Sequence, residues 1–114
     1  MRGAAIIVAI VFANCGPSFS QIAATQPQCY ENVGCPHKDR ITDAQARDLS
    51  CENLWLVRNT IYYQHGYCFL TERGRKAFSN GRCSSNSIAD LELNPVEQAN
   101  VATLRRIERR KGCQ

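Results

Sequence analysis

The chain has only two histidines, one tryptophan and one methionine among its 114 residues. It has no internal repeat and no low-complexity tract, and no apolar run reaches the roughly 20 residues that a membrane-spanning helix needs. Each shortage excludes something. An enzyme needs a nucleophile, a base and an orienting group, or a metal. His65 can be set beside Glu52, Glu72 or Asp90, but no spacing among them requires it. The sequence therefore reads as a non-enzyme and implies no cofactor. Its basic residues lack interleaved aromatics, which argues against nucleic acid as a partner.

What is present begins with a leader. Arg2 gives a short positive start, Ala4 to Ala13 form an uncharged apolar run, and Pro17 breaks it. Ser18-Phe19-Ser20 then offers small residues for cleavage before Gln21, so residues 1–20 read as a secretory signal peptide. The apolar run is about half of a span, so no stable membrane anchor is expected once the leader is removed. The lesser alternative is a lipoprotein attached through Cys15. A lipobox wants a small residue before the cysteine, and Asn14 stands there. Of the seven cysteines, loss of Cys15 leaves an even set: Cys29, Cys35, Cys51, Cys68, Cys83 and Cys113. An even set suits full pairing in an oxidising compartment, here the periplasm or the exterior.

Residues 21–114 suffice for one modest domain. A core of that size is marginal alone, and each bridge adds about 2–4 kcal/mol. The formal charge of +4 falls by one when Arg2 leaves. A mildly basic balance fits an anionic envelope polymer or an acidic partner, and is equally ordinary for a soluble protein.

The pattern predicts an all-α fold of three to four short helices. Residues 21–41 hold prolines and two cysteines without periodicity, and read as an irregular N-terminal arm. Residues 42–114 form the helical domain. Thr42 with Gln45 makes a capping box for a helix through Asp48. Ser50 caps a second helix, with Leu49 and Leu54 as its hydrophobic staple, which runs to about His65 and stops at Gly66. Tyr67-Cys68-Phe69 is an extended link. Thr71 opens a third helix through about Ser79, ended by Asn80-Gly81, and Cys83 to Leu93 is mostly loop. Asn94, Pro95 and Glu97 open the last helix, which runs to about Lys111. Val96, Leu104 and Ile107 share one face of it, with Arg105, Arg106 and Arg109 largely opposite. The basic run there reads first as a solvated helix end that complements the dipole.

Six cysteines permit many pairings, but helix geometry expresses a preference. Cys68 and Cys83 bracket the third helix. Cys51 begins the second helix and Cys113 follows the last, so antiparallel packing would bring them together. Cys29 and Cys35 remain for a local loop. A zinc site from Cys29, Cys35 and His37 is the alternative, but its spacing is looser than the usual C-x₂₋₄-C turn, so no metal is expected.

On the second helix Leu54, Val57 and Ile61 form an apolar stripe, with Trp55 and Tyr62 along its edge. Arg58 and His65 fall inside the same stripe. A buried cation needs a partner. Either both belong to an internal network, or they open a cleft in which Arg58, Asn59, Tyr62, His65 and Tyr67 receive an anionic or sugar-like group.

The run Arg58-Asn59-x-Ile61-Tyr62-x-x-His65-Gly66-Tyr67-x-Phe69 resembles the signature of the YARHG domain family. The five-letter core here reads Tyr62-Tyr63-Gln64-His65-Gly66, so Tyr63 and Gln64 depart from the family's Ala and Arg. Leu54 to Asn59, and Glu97 with Asn100, also fit the family layout. The likeness runs from about Cys51 to Cys113, and Cys68 with Cys83 resembles a cysteine-rich bacterial branch. The resemblance implies an extracellular bacterial module, in some proteins joined to envelope-binding domains, without an established activity. Gln64 in place of arginine removes a second cation beside His65.

Together these features point to an exported binding module of the bacterial cell envelope, with an anionic or glycan envelope polymer as ligand. The alternative is a protein-interaction partner, such as an inhibitor or assembly factor for an envelope enzyme.

Overall fold

The computed structural model describes residues 27–114. The leader, Cys15, the cleavage site and residues 21–26 of the arm lie outside the described residues. Four helices follow one another: α1 (Asp43–Arg47), α2 (Cys51–Gln64), α3 (Glu72–Ala77) and α4 (Pro95–Arg110), with a 3-10 turn at Ile88–Asp90. The fold is mostly helical, with no strand among the described residues beyond the isolated bridges Tyr30 to Gly34 and Tyr67 to Ser85.

Each helix starts where its cap predicts. Thr42 and Gln45 close a reciprocal capping box, as do Asn94 and Glu97, with Pro95 in the first turn of α4. Ser50 and Thr71 accept the Asn53 and Gly74 amides. Such caps satisfy donors that a helix start otherwise leaves unpaired. The second helix ends at His65 and Gly66, where φ is +83°. A Cβ on Gly66 would stand 2.5 Å from Ser84 Oγ, so both the turn and the close approach of residue 84 require glycine there.

Helix α3 is shorter than the sequence predicts and stops at Ala77. Phe78 leaves the helix with φ −133° and ψ 142° because its ring is wanted elsewhere. It stacks on Phe69 at 4.6 Å between centroids and meets Tyr63 at 5.1 Å. Burying an aromatic ring outweighs two more residues of helix.

This aromatic cluster changes the picture of α2. The expected stripe is real: Leu54, Val57 and Ile61 are buried in a core with Val33, Ile41, Ala46, Leu49, Leu104 and Ile107. A second cluster of Tyr63, Phe69 and Phe78 covers another side, with Trp55 and Leu56 packed against it. The helix is thus central, enclosed on two faces. On α4, Leu104 and Ile107 point inward as expected, but Val96 does not join the core. The interior positions of the first turns belong to the polar Glu97 and Asn100.

The arm is irregular but part of the core. Val33 and Ile41 are buried, and Asn100 holds the segment in place. Its Oδ1 accepts the Ile41 amide at 2.8 Å, and its Nδ2 donates to the Pro36 and Asp39 carbonyls, both at 2.9 Å. Three disulfides close the fold: Cys29–Cys35, Cys51–Cys113 and Cys68–Cys83. These are the pairs that helix geometry favours, and the first takes both thiolates away from His37.

Candidate functional site

Cys51, Arg58 and His65 are spaced about two helical turns apart, so they lie along one face of α2. Each is tied to the chain of α4 or its end. Cys51 bonds Cys113 at one end. Arg58 holds Glu108 in the middle through two parallel bonds, Nε to Oε1 at 2.6 Å and Nη2 to Oε2 at 3.0 Å. His65 Nε2 meets Glu97 Oε1 and Oε2 at 2.9 and 2.8 Å at the far end. A covalent bond, an ion pair and a histidine–carboxylate contact thus rivet the antiparallel pair α2 and α4 along its length.

The Arg58 and Glu108 side chains are only 16% and 14% exposed. Burial alone lowers the Arg58 pKa, but the hydrogen bond to Glu108 and its charge outweigh that, and the guanidinium is held above its ordinary value. It also lies 5.9 Å from the centre of the Tyr62 ring. Glu97 is 2% exposed and does two jobs at once. Besides His65 it accepts the Asn94 amide at 3.0 Å, completing the α4 capping box. The N-terminal end of α4 is itself favourable to a carboxylate.

The other residues singled out from the sequence are brought to the same region but are also engaged inside the fold. Tyr62 is fully buried and meets Tyr67 edge-on at 6.0 Å. Its hydroxyl is buried and has no hydrogen-bond partner of normal geometry among the described residues. Asn59 Nδ2 donates to the Trp55 carbonyl of its own helix at 2.8 Å. Tyr67 packs edge-on to Phe69 at 4.9 Å. Tyr63, where the family has alanine, packs against the stacked Phe69 and Phe78 rings.

His65 does not pair with Glu52, Glu72 or Asp90. Glu52 bonds Arg73, whose guanidinium lies 4.0 Å over the Trp55 ring, and Glu72 pairs with Lys76 on the same helix. Glu108 was missed because it sits within a basic run that reads as solvated. The available signal was spacing: Glu97, Asn100, Leu104, Ile107 and Glu108 recur at helical intervals on one face.

A shallow cleft of about 150 Å³ lies between the Tyr30–Gly34 turn and α2. Its buried walls are Val33, Leu49 and Val57, and Glu31, Asn32 and Asn53 stand exposed at its edge. None of the residues at Arg58 to Tyr67 lines it.

The fold and this riveted centre define a small, disulfide-stapled, all-helical domain whose charged interior residues bind one another. The chain belongs to the YARHG domain family, whose model matches residues 36–109. No curated protein and no solved structure matches it. The stapled extracellular-type domain is consistent with a periplasmic or secreted location. No described helix is long and apolar enough to cross a membrane.

Proposed function

We propose that the protein is exported, with its leader cleaved after Ser20, and that it acts as a binding module for an anionic glycan of the cell envelope and not as an enzyme. One observation carries this reading: the inward-facing groups of α2 find their partners inside the fold, so the surplus positive charge stands on the surface. Arg58 faces Glu108 and His65 faces Glu97, while Arg40, Arg47, Arg105, Arg109 and Arg110 are exposed. In this reading Arg58, Asn59, Tyr62, His65 and Tyr67 hold the scaffold that presents those cations. Attraction between exposed charges is screened within about 8 Å at physiological ionic strength, so binding should weaken steeply with salt.

The test is co-sedimentation of the disulfide-bonded protein, residues 21–114, with purified sacculi and with envelope polysaccharide, alongside a pull-down from a periplasmic extract. Retention by the glycans that falls between 50 and 500 mM salt supports the reading. Retention by a periplasmic protein alone would overturn it in favour of an inhibitor or assembly role.

A further inference from the structure

Several exposed cations fall on the last two turns of α4. Arg105 and Arg109 stand one above the other on the outer face of α4, about 6 Å apart along its axis, and Arg110 follows at the next position. The end of α1 lies against this end of α4, where Lys111 Nζ bonds the Arg47 and Leu49 carbonyls. Arg47 is itself exposed. Arg47, Arg105, Arg109 and Arg110 have no acidic partner among the described residues.

The acids that could neutralise this end of α4 are mostly engaged. Glu108, within the same run, is turned inward to Arg58. Asp43 is taken by Arg106. Asp48, the C-cap of α1, is an exposed carboxylate next to Arg47 in the chain. A helix end needs only a cation or two to complement its dipole, and this one gathers more than that role requires. Exposed like charges that lack a counter-charge attract an anionic partner.

We infer that the Arg105 and Arg109 row, flanked by Arg110, is the polymer-binding site, and that its ligand is an extended polyanion that runs along the outer face of α4. The inference rests on the anionic-glycan reading above and gives that reading an address. The row lies on the convex outer surface of α4, and the cleft described above lies elsewhere, on the arm side of α2. A convex cationic row gives a small anion nothing to be enclosed by, whereas a polymer gains from several contacts made at once. Guanidinium groups bond carboxylate and phosphate alike through paired N–H donors, so the shared chemistry is a repeated oxyanion on a glycan.

The decisive experiment compares two double reversals of equal net charge. Arg105→Glu with Arg109→Glu alters the row. Lys38→Glu with Arg82→Glu alters two exposed cations near the other end of α4, where His37 O accepts from Asn94 and Ser84 N donates to Gly66 O beside Glu97-bound His65. Affinity for sacculi, which carry carboxylates, and for a phosphate-rich lipopolysaccharide is measured with each, after circular dichroism confirms the fold. The row variant should lose at least tenfold on whichever polymer binds, and the control less than twofold. Equal losses in the two variants would overturn the inference and leave only non-specific charge attraction. If the unaltered protein retains neither polymer, the glycan reading itself fails.

Discussion

His65 Nε2 lies 2.8 Å from Glu97 Oε2, at the point where the end of α2 meets the start of α4. The contact joins two helix termini of opposite sense. Glu97 caps its own helix and holds the last turn of the other, so one carboxylate sets the mutual register of both. Within the family's five-letter core, His65 therefore acts first as joinery.

Breaking the second joint should be costly. Glu108→Gln leaves the Arg58 guanidinium buried without its counter-charge, and should destabilise the domain by about 3 kcal/mol. Replacing both partners, Arg58→Met with Glu108→Leu, should recover most of that loss. Guanidinium unfolding of the disulfide-intact variants measures both, and a double variant no better than the single would refute the assignment.

Asn100 is 1% exposed and serves three backbone groups of the arm. Asn100→Asp keeps the acceptor for the Ile41 amide but loses both donors, and should cost about 2–3 kcal/mol. Hydrogen exchange at Ile41 should stay slow in Asn100→Asp and become fast in Asn100→Leu. Equal protection in the two would show that the arm is held by other contacts.

Gly66→Ala meets both a positive φ and the Ser84 hydroxyl. The expected loss is about 1–3 kcal/mol, with a lowered melting temperature. Adding Ser84→Gly should relieve the clash but not the backbone strain, giving partial recovery.

Tyr30 predicts an alkaline limit. Burial raises its pKa above the ordinary 10.0, and the hydrogen bond to Thr60 only partly opposes this. The folded state thus keeps its phenol proton where the unfolded chain has lost it. Stability contributed by this group is intact below pH 10 and falls as pH rises through the folded value. Tyr30→Phe should flatten the slope of stability against pH above 10, and an unchanged slope would assign the loss to other groups.

Much of the fold was legible because it rests on local chemistry. Thr42, Ser50, Thr71 and Asn94 announce helix starts within a few residues of themselves. Cys51–Cys113 follows from antiparallel packing of two helices, Cys68–Cys83 from the helix that they bracket, and Cys29–Cys35 from what then remains. Phe78 was not legible, since its departure from α3 is decided by Phe69 and Tyr63, which come earlier in the chain. The arm was underestimated for the same reason: Asn100, some sixty residues away, is what fixes Pro36 and Asp39. The pattern of α2 does mark the Arg58 cation and the His65 imidazole as groups that need partners. Which carboxylates answer them depends on the rotation of α4, and periodicity in α2 carries no information about that.

The Cys51–Cys113 bond makes everything from residue 51 to residue 113 a covalent ring. An envelope protease that clips the exposed loop at Arg82 would therefore release nothing. Both fragments would stay joined, and the damage would appear only on a reducing gel. Resistance to loss of parts is thus built into the topology, separately from how tightly the domain folds.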